Sequence, residues 1–401
     1  MEKQQQQNSK SCWSKRRQRI FAKLYFILFF SLILLLTHTQ TKIKKQTNKQ
    51  TRRHVSCVNI YLYAAFYELI ACLFFLYFFL NLLFLFFEET LLFPMIDEVW
   101  EISFSERRRI ASVLSFLRRC ECPYIGRPVV RMYGEGNLQK DMKGETWASP
   151  LLILLSYPLS ERHTTLHRFL QTEEGRRREV KLSLAYQLVQ AVSFLHACGV
   201  SHQFLSSEVV LVEVEPEPTI RVIHFCGSTT SSDCSGSYIC VRNYRPPEVV
   251  LQLSGIKSKA VDCWALGCLL FEIYTGSAAF SLEESAGNFR PQLVRKQLEE
   301  TVRVTGRLEK DSIPPGCPDR VSKYLLGLNY DASFYSRMRL ACPEDETEMW
   351  ITMVRPLLQF NFHLRPPVSE LLRHRLFAGL PPPVAWPVPD GDPLQLQELI
   401  G

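Results

Sequence analysis

Gly199-Val200-Ser201-His202-Gln203-Phe204-Leu205-Ser206-Ser207-Glu208-Val209-Val210-Leu211-Val212 lies between a segment of helical periodicity and a pair of β-branched runs. Upstream, Glu179 to Cys198 carries Leu182, Leu188, Val192 and Leu195 on one face and passes through Phe194-Leu195-His196, which predicts a helix. Gly199 is placed to close it, because glycine accepts the left-handed conformation that helix C-termini use. Downstream, Val210–Val212 and Ile220–Ile223 predict a short hairpin.

Working outward, Ala260 to Tyr274 is apolar nearly all round, which in a soluble domain predicts a helix buried on every side and ended by Gly276. Toward the N-terminus, Ser105 to Arg119 reads as an amphipathic helix with Ile110, Val113, Leu114 and Leu117 facing inward. Val129–Tyr133 and Leu151–Leu155 read as strands. The Pro-rich stretch Pro381 to Pro393 reads as an extended strap or a disordered end, and no internal repeat is found.

The quoted loop resembles the catalytic loop of protein kinases, H-R-D-L-K-P-x-N. Ile220 to Gly227 resembles the strand and turn that carry D-F-G, here His224-Phe225-Cys226. Tyr238-Ile239-Cys240-Val241-Arg242-Asn243-Tyr244-Arg245-Pro246-Pro247-Glu248 resembles the segment ending in A-P-E. Asp262-Cys263-Trp264-Ala265-Leu266-Gly267 resembles the D-x-W-S-x-G that opens the buried helix, and His363-Leu364-Arg365-Pro366 the late Arg-Pro of the same lobe. Each signal is weak alone, but their order and spacing together are specific. The resemblance runs from about Leu152 to Leu380. The Tyr238-to-Glu248 form and the connecting region after Gly276 are similar to the CMGC group, and within it to the LAMMER/Clk-type dual-specificity kinases.

This resemblance implies an α+β, protein kinase-like fold with a mostly helical large lobe. It also implies which residues phosphoryl transfer would need, and those residues have been replaced. The aspartate that accepts the substrate hydroxyl proton falls at Phe204, the asparagine for the second magnesium at Val209, and the magnesium-holding aspartate of D-F-G at His224. Glu208 is one position off and Asp233 lies in a Ser/Thr/Gly-rich loop, so neither is favoured as a substitute. No glycine precedes Gly126, and no lysine lies between Lys49 and Lys140. Hence Val99-Trp100-Glu101-Ile102, a remnant of the lysine-bearing strand, offers no cation and the small lobe reads as truncated. The scaffolding positions are kept: His202, Glu248, Asp262, Trp264 and Arg365, with Glu248 and Arg365 matching the family's buried ion pair.

The remainder of the chain differs in composition. Half of the 26 phenylalanines precede Met95. Ile20 to Leu36 and Val58 to Phe87 are apolar runs beside basic stretches, so residues 20–37 read as a transmembrane or signal-anchor helix and 58–87 as a transmembrane helix. The same step in composition fits a reading frame extended upstream of Met95, and both readings stand. The expected organisation is a basic tail over 1–19, the two hydrophobic helices, a truncated small lobe over 98–158, a large lobe over 159–380 and a Pro-rich tail over 381–401. A net charge of +7 in short basic runs without interleaved aromatics argues against nucleic-acid binding. The 13 scattered cysteines, with Cys120 and Cys122 as an isolated C-x-C, read as reduced thiols rather than a metal site.

The expected function is a kinase-fold scaffold or allosteric module without phosphotransferase activity. The expected partners are proteins, an active kinase or its substrates among them, together with a membrane where residues 1–94 are native; without those residues the expected location is cytoplasmic or nuclear. No cofactor is expected. The alternative is a divergent ATP-dependent serine/threonine kinase, for which ATP and magnesium would be the cofactors.

Overall fold

The computed structural model describes residues 95–102, 106–133, 138–140, 146–148, 151–158, 162–234, 239–282, 291–341 and 344–389. The tail over 1–19, the apolar runs over 20–37 and 58–87, and residues 390–401 lie outside them. Among the described residues no helix is long and apolar enough to cross a membrane.

Strand β1 (Met95–Ile102) pairs antiparallel with β5 (Leu151–Pro158), with Glu98 opposite Leu155. On its other edge β5 pairs antiparallel with β2 (Val129–Tyr133). The first strand therefore starts three residues ahead of the lobe boundary read at residue 98, and β5 runs past Leu155, because the alternation that buries Ile153 and Leu155 continues to Tyr157. Helix α1 (Arg107–Arg119) places Ile110, Val113, Leu114 and Leu117 in the same apolar cluster as that buried strand face. Strands β3 (Leu138–Lys140) and β4 (Thr146–Ala148) pair antiparallel as a separate two-stranded sheet. Nothing in the periodicity signalled it, since three residues per strand are too few to show alternation.

The rest is mostly helical. The predicted hairpin is β7 (Val210–Glu213) with β8 (Thr219–Val222), and β6 (His163–Thr165) adds a third strand on the far side of β7. Short α2 (Leu166–Phe169) follows β6, and α3 (Arg178–Ala197) is the helix before the loop. Its end is closed by two bonds, Val200 N–H to Leu195 O at 2.9 Å and Gly199 N–H to His196 O at 3.2 Å, with Gly199 at φ +74°. That double bond is the Schellman cap, and the positive φ is why glycine stands there.

Beyond short α4 (Pro247–Val250), α5 (Ser258–Thr275) is buried at every position from Val261 to Tyr274. A Cβ on Gly267 would stand 2.9 Å from Leu357 Cβ, so the missing side chain allows that close approach. Helices α6 (Pro291–Thr305) and α7 (Asp319–Leu326) build a separate apolar cluster with Val250 of α4. Against α5 pack α8 (Ser333–Ala341) and α9 (Glu344–Val354), and α10 (Val368–Leu371) packs against α3. One apolar cluster runs from α1 and β5 through α3 and α5 to α9, so both parts of the fold share a core. The Pro-rich segment is an extended strap over residues 381–389. The Tyr186 hydroxyl donates to Pro381 O at 2.7 Å, Val384 N–H donates to Gln190 Oε1 at 3.2 Å, and Trp386 meets Tyr124 and Phe194 edge to face.

Candidate functional site

The loop after α3 is organised by one buried carboxylate. Asp262, fully buried at the start of α5, accepts the amides of His202 at 2.8 Å and Gln203 at 2.7 Å, and the imidazole of His196 at 3.0 Å. Gln203 takes φ +65°, a left-handed conformation unusual for a residue with a side chain. His202 Nδ1 accepts the Phe204 amide, so the ring proton sits on Nε2 and is donated to Ile223 O at 3.0 Å. Burial holds this imidazole well below the ordinary histidine range, at about 4, and therefore neutral. Val209 packs against the main core, and Glu208 is exposed.

Phe204 lies on the turn that follows Phe225. A Cβ built on Gly227 would come within 2.0 Å of Phe204 Cε2, so the ring rests directly on the Gly227 backbone. It also meets the ring of His224 at 5.9 Å between centroids.

His224 is in turn held by three groups. Its Nδ1 lies 3.1 Å from Glu98 Oε1, its Nε2 lies 3.0 Å from Cys226 Sγ, and its amide donates to the Tyr157 hydroxyl at 3.3 Å. The hydrogen bonds to Cys226 and then Glu98 outweigh burial and push the imidazole up to about 10, so it is cationic at neutral pH. On the opposite wall, Arg109 of α1 donates to Cys226 O at 3.0 Å, to Ser228 O at 2.7 Å and to Glu106 Oε1 at 2.9 Å. Between them opens a cleft of about 330 Å³ lined by Glu98, Glu106, Arg109, Ile110, His224 and Cys226. Phosphoryl transfer by kinases places a strand lysine against the phosphates, a helix glutamate against the lysine and an aspartate at the turn. Here the strand offers a carboxylate, the helix a guanidinium and the turn a cation.

The His224 cation has a consequence for stability. A histidine whose folded value is raised stabilises fully below its ordinary value of 6.5, and that contribution is lost as the pH rises through about 10. The melting temperature is therefore expected to decline between about pH 7 and 10, and His224→Gln should flatten that decline. Melting curves across this range check it, and an unchanged alkaline slope in His224→Gln would refute the assignment of the cation.

The scaffolding positions meet at the other end of the lobe. Arg365 and Glu248, 117 residues apart, form a two-point pair at 2.6 and 2.8 Å with both side chains fully buried. Arg365 also donates to Gln359 O at 2.9 Å and Ala260 O at 2.8 Å, and its guanidinium lies 5.0 Å from the Trp264 ring centroid. Trp264 stacks on Phe280 at 5.4 Å. A second buried carboxylate, Glu272, accepts the Tyr244 hydroxyl at 2.6 Å, and that hydroxyl also contacts Ser207 Oγ at 2.9 Å, tying the segment before Glu248 to the loop. Cys120 and Cys122 are both buried, and burial pushes their thiols up to about 11 and about 12.

Sequence reasoning placed Phe204, Val209 and His224 but missed Glu98, Arg109, Tyr157 and Cys226. Cys226 was legible as a side chain where D-F-G has glycine. The other three come from β1, α1 and β5, and only the fold brings them to the turn.

Residues 129–377 match the family model for the protein kinase domain. The dual specificity protein kinase CLK2 of Homo sapiens is 26% identical over 240 residues, covering 51% of this chain and 44% of that protein. The serine/threonine-protein kinase Doa of Drosophila melanogaster is 26% identical over 232 residues, 50% of this chain and 26% of that protein. The dual specificity protein kinase lkh1 of Schizosaccharomyces pombe is 32% identical over 120 residues, 26% of this chain and 17% of that protein. The chain thus spans less than half the length of these curated relatives. With the family match covering most of the chain, and with loop, turn and buried helix in kinase order, the protein belongs to the protein kinase domain family and is similar within it to dual specificity kinases of the CLK type.

Proposed function

We propose that this kinase domain, with a truncated small lobe, is catalytically inactive and acts as a scaffold or allosteric module for other proteins, an active kinase or its substrates among them. The observation that carries the reading is the His224–Glu98 pair roofed by Phe204. These residues do not fit a magnesium-bound triphosphate. A cationic imidazole repels a divalent cation that seeks hard oxygen ligands, and a carboxylate faces the space where phosphates would need positive charge. Phe204 cannot accept the proton of a substrate hydroxyl. By contrast, Asp262, Glu272 and the Glu248–Arg365 pair find their partners within the protein, and none of these contacts requires nucleotide.

Millimolar ATP with magnesium should leave the melting temperature unchanged, whereas a ligand at 100 times its dissociation constant would stabilise the fold by about 2.7 kcal/mol. No labelled phosphate should pass to the protein itself or to a basic peptide. Phe204→Asp alone should create no transfer, because the metal and phosphate positions would still carry the wrong charges. A magnesium-dependent thermal shift together with transfer abolished by a lesion in this domain would instead establish a divergent kinase.

A further inference from the structure

Cys226, His224 and Glu98 stand in the order that nucleophilic catalysis uses: a thiol, an imidazole within hydrogen-bond reach of it, and a carboxylate that orients the imidazole. The Cys226 sulfur lies 3.0 Å from His224 Nε2, and His224 Nδ1 lies 3.1 Å from Glu98 Oε1. Both nitrogens of a cationic ring donate, so the sulfur is the acceptor. The thiol is partly exposed and lines the cleft of about 330 Å³, whose Ile110 and Val99 supply apolar wall. The other described cysteines differ. Burial pushes Cys120, Cys198 and Cys234 up to about 11, Cys122 and Cys263 to about 12, and Cys240 and Cys268 well above the ordinary range. Cys317 is partly exposed like Cys226, but its recorded sulfur contact is a backbone carbonyl at 4.0 Å.

We propose that Cys226 is a covalent-modification site whose ligands are small α,β-unsaturated carbonyl compounds entering the cleft beside α1. In the step, the S–H proton leaves to solvent as the sulfur forms a bond to the β-carbon, the C=C π pair moves onto the carbonyl as an enolate, and the His224 Nε2 proton passes to the α-carbon. The ring is left neutral and still bonded to Glu98. No oxidant and no leaving group are involved.

The test is the second-order rate of N-ethylmaleimide addition at pH 7 to the full chain, read by quantitative peptide mapping. A thiol hydrogen-bonded to an imidazole that can hand a proton to the α-carbon should add about tenfold faster or more than a thiol without such a neighbour. Cys226 is expected to label about ten times faster than Cys317, and His224→Gln should bring the two rates together. Glu98→Gln should lower the Cys226 rate by an intermediate factor. Labelling of Cys240 or Cys268 would reveal an unfolded variant, and the wild-type ratio then decides alone. A Cys226 rate no greater than that of Cys317 in the wild type, or one unchanged in folded His224→Gln, overturns the proposal.

Discussion

Arg365→Ala is expected to destabilise the domain by about 3–5 kcal/mol, a large share of the roughly 5–15 kcal/mol that separates a typical folded domain from its unfolded chain. Both members of the Arg365–Glu248 pair are fully buried, so removing one leaves the other charge without solvent or partner. The guanidinium also donates to Gln359 O and Ala260 O, and these carbonyls would lose their partner too. Glu248→Ala should cost a similar amount, since it strands the cation beside Trp264. The double variant should lose clearly less than the sum, because each single change already breaks the shared contact. Proline on each arm, Pro247 as the first residue of α4 and Pro366 next to Arg365, restricts the backbone in the unfolded chain and lowers the entropy lost on pairing. Equilibrium denaturation of the two singles and the double measures the coupling, and strict additivity would contradict this account.

How far such features can be read from sequence depends on whether their cause is local. The α3 helix and its Gly199 cap, the buried α5 helix and the β7–β8 hairpin follow from periodicity and a few end signals. The positions of Phe204, Val209 and His224 follow from alignment with an ordered motif. What surrounds His224 is not local at all. Glu98 reaches His224 because β1 pairs with β5 in a register that sets Glu98 opposite Leu155 and turns it, like Ile96, away from the exposed side that Asp97 and Val99 occupy. No periodicity in eight residues reveals which cation an inward carboxylate will meet. Likewise β6 is three residues long and owes its existence to the edge of β7. The proline content of the tail announced an extended segment, but its course is set by Tyr186, Gln190 and the aromatic pocket that takes Trp386.

Asp262→Ala should have the second large effect, and it separates the architecture of the loop from catalysis. One carboxylate accepts two consecutive backbone amides and an imidazole in a site without solvent. Alanine strands the amides of His202 and Gln203, at about 1–3 kcal/mol each, for a total of roughly 2–6 kcal/mol. Gln203 adds to the effect, because its left-handed backbone is strained by itself and Asp262 is the acceptor that holds it there. Asp262→Asn should restore only part of the loss, since the amide can accept from one backbone N–H while its own N–H₂ group confronts the other. Hydrogen exchange would localise the effect: the amides of His202 and Gln203 should lose protection first, while those inside α3 and α5 keep theirs. A loss below about 1 kcal/mol would mean that the loop is held by other contacts. The magnitude expected here needs no nucleotide, no metal and no substrate, so the shape of the loop that carries Phe204 rests on Asp262 alone among these groups.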